Sequence, residues 1–310
     1  MTLVLVEVVK NIKLVTENNH NINIKMTPSR QKRVAAIHDI SGFGKCSLTV
    51  ALPIISSAGA ETVVMPTAVL STHTGGFTGF TYRDLTEDMR PITDHWKSLD
   101  LKFDSIYTGF LGSFEQQDMV IEFIEKFKTE DNLVVVDPVM ADNGELYKIF
   151  TPEFAVGMRR VCNKADIIIP NMTEASLLIG ERYFPGPYTE DYIEDVLIKL
   201  SALGPDRVVL TGVYFDDDHL GAASYVHSVD EISYSFSRRV PGYFHGTGDV
   251  FGSALISALM NRFDVHQATE IAVRFTTKCI QRTADAQTDV RFGVNFEQTI
   301  PELLKDLKLV

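Results

Sequence analysis

The feature that most limits how this chain can fold is a series of short segments that are apolar along nearly their whole length. A strand with one solvated face alternates apolar and polar residues, whereas these segments do not. Strands of that kind belong in a parallel sheet that helices cover on both faces. The segments are RVAAIH (33–38), ETVVMP (61–66), DSIYTG (104–109), LVVVD (133–137), DIIIP (166–170) and RVVLTG (207–212).

Helical segments separate these strands, as an alternating α/β fold requires. The predicted helices include a stretch through Ile55, a region that Pro91 interrupts, and the segments 114–127, 191–203, 265–282 and 296–307. The runs GAASYVH (221–227) and ISYSFSR (232–238), with a short polar turn between them, predict an antiparallel pair at a sheet edge. With neither repeat nor linker in the sequence, we predict one doubly wound α/β domain at 33–310.

The first 32 residues fit this pattern poorly. The segment ENNHNINIK (17–25) is polar and rich in asparagine, and Met26 stands just before the first convincing strand. The opening apolar residues have no basic flank or cleavage site, so they do not resemble a signal peptide. We predict that residues 1–32 are an extension that the fold does not need.

Composition narrows the classes of partner. The formal net charge of −12 argues against a nucleic-acid surface or an anionic membrane, because both require clustered Lys and Arg. No apolar run approaches the length of a membrane span. The three cysteines, Cys46, Cys162 and Cys279, are far apart and odd in number, which is typical of thiols in a reducing compartment. We therefore expect a cytoplasmic protein.

The segment HGTGDVFGSAL (245–255) predicts a glycine turn that leads into a helix. The first N–H groups of a helix have no partner within it, so Gly246, Thr247 and Gly248 could bind an anion there. Asp249 could act as a general base, a role that contributes roughly 10² to 10⁴ in rate. Alternatively, Asp249 only complements the helix dipole and the glycines only form a tight turn.

The loop DISGFGK (39–45) does not match the common phosphate-binding motifs. Asp39 stands where GxxxxGK needs its first glycine, and Cys46 follows Lys45 where Ser or Thr is needed. The dinucleotide fingerprint GxGxxG fails as well, because Ser47 occupies the place of its last glycine. A Walker A kinase and a Rossmann dehydrogenase are therefore excluded.

Oxygen-bearing side chains follow two of the predicted strands. Asp137 ends LVVVD, while Asn171 and Glu174 stand in PNMTE, where the next helix begins. Hard divalent cations prefer such oxygen ligands, and phosphoryl transfer needs a cation. The alternative is that Asn171 caps the helix and Glu174 is its capping-box partner.

Several segments, in chain order, resemble the pyridoxal (vitamin B6) kinase branch of the ribokinase-like kinases. They are HDISGFG, STHTGG, TGFLGS, DPVM, PNMTE and GTGD, and they extend over the chain from about residue 33. A ribokinase-like fold has three layers, with a mostly parallel sheet between helices. The resemblance implies that fold for this chain.

The resemblance also implies site residues. The substrate would contact Asp39, Thr74, Gly75 and Phe110, with Asp249 as its base. At the Asp39 position this branch usually carries Ser near the pyridine nitrogen, and a carboxylate could instead pair with a protonated ring nitrogen or an amine. The other readings are that Asp39 forms a turn, that Thr74 and Gly75 lie in a mobile loop, and that Phe110 is a core residue.

For the nucleotide, the resemblance implies ATP contacts from Asp137, Asn171, Glu174, Thr211 and Gly212. It implies Mg²⁺ near Asp137 and Glu174 and a homodimer. A monovalent cation could also be required, and the sequence does not decide this. It also places the nucleotide near Tyr225 and Arg238, although Arg238 and Arg239 could simply be a surface pair.

The reaction implied is transfer of the ATP γ-phosphoryl group to the 5′-hydroxymethyl group of pyridoxal, pyridoxamine or pyridoxine. Two alternatives remain. A hydroxymethylpyrimidine kinase shares the fold, but the resemblance gives that group Cys where Asp249 stands. A B6-vitamer carrier without activity would retain the pocket, but it would not need Asp249, Asn171 and Glu174. Sugar kinases usually add a strand lid that this sequence does not show.

Overall fold

The computed structural model describes residues 30–310, of which Lys32–Val310 form one compact unit. The predicted extension at 1–32 lies outside the described residues except for its last three positions, so it stays a prediction. The strands are β1 (Arg33–Ser41), β2 (Glu61–Leu70), β3 (Tyr82–Asp84), β4 (Ser105–Thr108), β5 (Leu133–Val136), β6 (Ala141–Asp142), β7 (Glu145–Leu146), β8 (Ile167–Ile168), β9 (Arg207–Val213), β10 (His219–Val226) and β11 (Glu231–Arg238).

Nine of these strands form one sheet in the order β11-β10-β9-β8-β5-β4-β1-β2-β3. The six central strands run parallel, whereas β10, β11 and β3 are antiparallel to their neighbours. This arrangement confirms the mostly parallel sheet and the antiparallel edge pair. The sequence did not reveal the short β3 strand or the separate β6–β7 hairpin.

Helices cover both faces of the sheet. They are α1 (Leu48–Ser57), α2 (Thr86–Ser98), α3 (Phe114–Phe127), α4 (Pro152–Cys162), α5 (Met172–Ile179), α6 (Glu190–Ser201), α7 (Thr247–Met260), α8 (Val265–Asp285) and α9 (Ile300–Asp306). Helices α2 to α6 pack on one face and α1, α7, α8 and α9 on the other. The three-layer prediction is confirmed.

The central strands show why an uninterrupted apolar run was the decisive signal. In β5, Val134 and Val136 belong to the hydrophobic cluster on one face, whereas Val135 belongs to the cluster on the other. All three side chains are fully buried. Successive residues of a strand point to opposite faces, so a strand between two helical layers needs apolar residues at every position.

Two helix predictions need correction. Helix α2 continues through Pro91, because a proline in the second turn removes one backbone hydrogen bond but leaves the rest of the ladder intact. The last helix begins at Ile300 instead of residue 296, since Phe296 is buried in the core ahead of the helix. Within residues 30–310, no helix is both long enough and apolar enough to cross a membrane.

Candidate active site

The polar residues singled out in the sequence meet at one edge of the sheet. Asp39 is near the end of β1, Asp137 directly follows β5, and Asn171 follows β8. The N-terminus of α7, with Asp249 in its first turn, lies beside them. Ligands of open α/β sheets bind beyond the carboxyl ends of the strands, so this edge is the candidate active site.

The turn before α7 requires glycine at position 246. Gly246 has φ +77°, in the left-handed region, and an added Cβ would overlap the backbone carbonyl oxygen of Lys45. At Gly248, by contrast, an added Cβ would meet no atom within 4 Å. Helix α7 begins at Thr247, so its first unpaired N–H groups lie next to this open space. The geometry therefore suits an anion held by backbone N–H groups.

Asp249 has the properties of a base that can work near neutral pH. Burial raises its pKa to about 7, and the negative charge of Asp39 raises it as well. The backbone N–H of Ser47 donates to the Asp249 carboxylate and acts in the opposite direction. A pKa near the working pH is the condition under which a general base is most effective.

The loop after β1, which contacts Asp249 through Ser47, has two residues in a strained backbone conformation. Lys45 and Ser47 have φ values of 53° and 57°, which are unusual for residues other than glycine. Ser47 also donates its hydroxyl to Asp39 Oδ1 at 2.5 Å, and Ser41 donates to Asp39 Oδ2 at 2.9 Å. Asp39 lies inside β1 and is buried, so the alternative that it forms a turn is wrong.

Asn171 and Glu174 form the capping box that the sequence analysis left as an alternative. The Asn171 Oδ1 atom accepts from the backbone N–H groups of Thr173 and Glu174, at 2.8 and 2.9 Å. Glu174 Oε2 accepts from the N–H of Asn171 at 2.9 Å, and Glu174 Oε1 from the N–H of Met140 at 3.1 Å. Both side chains therefore have a structural role, which leaves their predicted role with ATP as a proposal.

Four acidic side chains lie at this edge without a compensating cation. Among residues 30–310, no Lys or Arg forms an ion pair with Asp39, Asp137, Glu174 or Asp249. Burial raises the pKa of Asp137, and the charges of Glu174 and Asp249 raise it further. A divalent cation would relieve this repulsion. Among the described residues, no three His, Cys, Asp or Glu side chains are grouped so that they could hold a metal ion.

The other predicted substrate residues lie nearby. The N–H of Gly75 donates to His73 Nδ1 at 3.0 Å, and an added Cβ on Gly75 would be 2.6 Å from the His245 ring. This contact joins the STHTGG loop to the GTGD turn, whereas Thr74 is exposed. Phe110 is half-buried, and its ring centre is 5.8 Å from that of Phe150. It is therefore not an ordinary core residue.

Thr211 and Gly212 lie near the end of β9, beside the capping box. Thr211 pairs with Asn171 through an isolated parallel bridge, and its N–H donates to the carbonyl of Pro170 at 2.9 Å. Gly212 has φ +77°, and the nearest atom to an added Cβ is Met172 Cγ at 3.9 Å. An added Cβ at Gly212 would therefore make only an ordinary van der Waals contact.

A groove of about 970 Å³ lies between the end of β11 and helix α8. Its lining residues come from the segments 217–218 and 238–242 and from α8, where Lys278 is one of them. Arg238 and Arg239 are both among the lining residues, and the guanidinium of Arg239 lies over the Tyr214 ring at 5.1 Å. Both side chains are exposed, so the alternative that they form a surface pair stays open.

Comparison with known proteins identifies the family. The family model described as phosphomethylpyrimidine kinase matches residues 52–293. The chain belongs to this family. The ribokinase-like fold and the prediction of an enzyme are thereby confirmed.

Individual relatives of this phosphomethylpyrimidine kinase family member extend over most of the chain. A Bacteroides thetaiotaomicron protein assigned to the phosphomethylpyrimidine kinases, crystallised with pyridoxal, is 38% identical, with a TM-score of 0.85 over 88% of this chain and 96% of that chain. The pyridoxal kinase of Lactobacillus plantarum is 30% identical, with a TM-score of 0.81 over 89% of this chain and 98% of that chain. The pyridoxal kinase of Arabidopsis thaliana is 29% identical over 83% of this chain and 84% of its own length.

Two histidines have a role in this kinase that the sequence alone did not indicate. Because His73 Nδ1 accepts from Gly75, its Nε2–H donates to the carbonyl of Arg291, at 2.6 Å. The His73 and His245 rings are 5.0 Å apart, and burial lowers the pKa of both. These neutral rings hold the STHTGG loop between the GTGD turn and the C-terminal region. Their positions next to two motifs were the only signal in the sequence.

Proposed function

We propose that this kinase transfers the ATP γ-phosphoryl group to the 5′-hydroxymethyl group of a B6 vitamer, namely pyridoxal, pyridoxamine or pyridoxine. The observation that carries the proposal is the position of Asp249, whose pKa is raised by burial to about 7, at the open N-terminus of α7. The relatives support the substrate class, since two are pyridoxal kinases and a third was crystallised with pyridoxal.

In the proposed mechanism, Asp249 accepts the proton of the substrate alcohol, and the alcohol oxygen then attacks the γ-phosphorus. The N–H groups of the turn at Gly246, Thr247 and Gly248 stabilise the negative charge on the transferring group. Bound Mg²⁺, held by Asp137 with phosphate and water, would neutralise the charge on the phosphates. Glu174 contributes through its nearby charge, because backbone N–H groups already engage both of its oxygens.

The two ligands would occupy opposite sides of the GTGD turn. We place the vitamer near Asp39, Thr74, Gly75 and Phe110. Burial and the neighbouring Asp84 raise the pKa of Tyr82, and the charge of Asp39 raises it further, which is consistent with Asp39 and Tyr82 sharing that side of the site.

We place the adenosine part of ATP in the groove lined by Arg238 and Arg239, with Asn171, Thr211 and Gly212 along the phosphates. Three basic side chains, those of Arg238, Arg239 and Lys278, line this groove and support the placement. Two acidic side chains, Asp217 and Asp218, line it as well.

The Asp249→Asn variant tests the mechanism. It keeps the size of the side chain but cannot accept the proton, so kcat should fall by roughly 10² to 10⁴. The affinity for ADP, measured by calorimetry, should stay close to that of the wild type. The control is Asp94→Asn, since Asp94 is an exposed acid paired with Lys126. Normal turnover by Asp249→Asn would contradict the assignment.

A second function is supported by the description of the matching family, phosphomethylpyrimidine kinase. Its substrate would be a phosphomethylpyrimidine, as the description says, and the corresponding alcohol is a hydroxymethylpyrimidine. ATP-coupled rates for the three B6 vitamers and this pyrimidine, measured side by side, separate the two functions. A larger kcat/KM for the pyrimidine would overturn the B6 proposal, while a lack of turnover with all four alcohols would favour a carrier.

We further propose that the protein is a homodimer, as the resemblance implies, and that it is cytoplasmic. The free thiols of Cys46, Cys162 and Cys279 support a reducing compartment. Light scattering on the purified protein would measure the oligomeric state, and a monomer would contradict the proposal.

A further inference from the structure

Tyr107 has a buried hydroxyl for which the fold provides no partner. The residue lies in β4, its side chain is fully buried, and its hydroxyl makes no hydrogen bond within residues 30–310. A buried hydroxyl without a partner costs stability, and a phenylalanine would fill the same space without that cost. Packing therefore does not explain why this position carries tyrosine instead of phenylalanine.

The facing helix makes room for this hydroxyl. Gly252 lies inside α7, where glycine is less favourable than alanine, and an added Cβ would overlap Tyr107 Oη. Gly252 comes three residues after Asp249, so the two positions share one face of the helix. The chain thus carries two unfavourable features, an unpaired buried hydroxyl and a glycine inside a helix. Both concern the same oxygen atom, which lies against α7 about one turn after Asp249.

The charged surroundings keep the hydroxyl protonated. Burial raises the pKa of Tyr107, and the charges of Asp137 and Asp249 raise it further. The neighbouring group on β1 is His38, whose ring centre is 4.5 Å from that of Tyr107. Burial lowers the pKa of His38 to about 3, so this ring is neutral. Tyr107 is therefore a neutral donor facing two carboxylates.

We propose that Tyr107 is a positioning residue that acts through Asp249. Its hydroxyl donates a hydrogen bond to the Asp249 carboxylate, directly or through one water molecule, and fixes the orientation in which that carboxylate accepts the alcohol proton. Catalytic hydrogen bonds often tighten only once the substrate is bound. The inference rests on the proposed function, because it requires Asp249 to be the base.

The test uses Tyr107→Phe, which keeps the ring against His38 and Gly252 and removes only the oxygen. The matched control is Tyr234→Phe, because the Tyr234 hydroxyl in β11 is also buried and has no hydrogen-bond partner within residues 30–310. Both variants should keep or raise the melting temperature, since each loses an unpaired buried hydroxyl. Only Tyr107→Phe should lower kcat, by about tenfold to a hundredfold, with the KM for ATP within about twofold.

A double-mutant cycle distinguishes positioning from a general loss of structure. In the Asp249→Asn background, Tyr107→Phe should have no further effect on kcat, whereas an unrelated structural defect would multiply with it. If the wild-type protein is active and Tyr107→Phe has the same kcat, the inference is wrong but the proposed function stands. The same holds if the effects of the two substitutions multiply in the cycle. A wild-type protein that phosphorylates none of the four alcohols would overturn the proposed function, and the inference with it.

Discussion

Replacing Gly246 with alanine should damage both stability and turnover, because two features of this position depend on glycine. Gly246 has φ +77°, and a residue with a side chain in this left-handed conformation lowers the free energy of unfolding by roughly 1–2 kcal/mol. The new Cβ would also overlap the Lys45 carbonyl oxygen, and a backbone atom cannot rotate away. The first loop and the GTGD turn would then have to separate by roughly 1 Å, a displacement that can reduce a rate by about 10². That loop carries Ser47, whose N–H contacts Asp249.

Gly59→Ala separates the backbone strain from the overlap. Gly59 has φ +93°, but an added Cβ there would meet no atom within 4 Å. Both variants should therefore lose a few degrees in melting temperature from strain of about 1–2 kcal/mol. Only Gly246→Ala should lose about 10² in kcat/KM, because only there do two parts of the site move apart.

The assay couples ADP release to NADH oxidation, with pyridoxal as the alcohol and scanning calorimetry for the melting temperature. If Gly246→Ala kept kcat/KM close to the wild-type value, the close approach of loop and turn would not matter for the reaction. If Gly59→Ala lost as much activity as Gly246→Ala, the loss would follow from strain in general. Either result would refute the reasoning.

Four further predictions concern the same site. The kcat/KM for the alcohol should rise with pH up to about 7 and then level off, since Asp249 accepts a proton only when ionised; a flat profile would count against it. Asp39→Asn should move this inflection to lower pH, because the Asp39 charge raises the pKa of Asp249; an upward shift would be the opposite sign. Asn171→Ala should lower the free energy of unfolding in urea by about 1 kcal/mol through loss of the N-cap, and Asn171→Ser, which keeps an uncharged capping oxygen, should restore part of it. EDTA should stop turnover and added Mg²⁺ should restore it, and Asp137→Asn should raise the Mg²⁺ concentration required; turnover in EDTA would exclude the cation.

Local patterns in the sequence were sufficient for most elements of the fold. Helix α3 has the predicted bounds, because the N-cap Ser113 accepts a hydrogen bond from the N–H of Gln116 and an apolar stripe follows. Helix α2 and the start of α9 were less well predicted. At Pro91 and Phe296 the outcome depends on packing against the sheet, which a local pattern does not contain.

The motifs likewise indicated which residues would meet but not how. The sequence left open whether Asn171 and Glu174 cap a helix or bind phosphate, since both roles use the same residue types. The structure shows the capping role, with Glu174 also accepting from the N–H of Met140. Tyr107 was missed altogether, because a tyrosine inside an apolar strand is indistinguishable from a core residue until its neighbours are known.

The sequence by itself determined the layered architecture and the residues that stand at the ends of the strands, because the number of apolar faces on a strand and the position of a glycine turn are local properties. Only the tertiary structure decided what each of those residues contacts. Three contacts at the site each join positions more than a hundred residues apart. They are the Lys45 carbonyl oxygen against Gly246, His73 against the Arg291 carbonyl, and the Tyr107 hydroxyl beside Gly252. Such contacts depend on how helices and strands pack together. The distances that result from this packing decide whether a side chain can accept a proton, donate a hydrogen bond or only fill space.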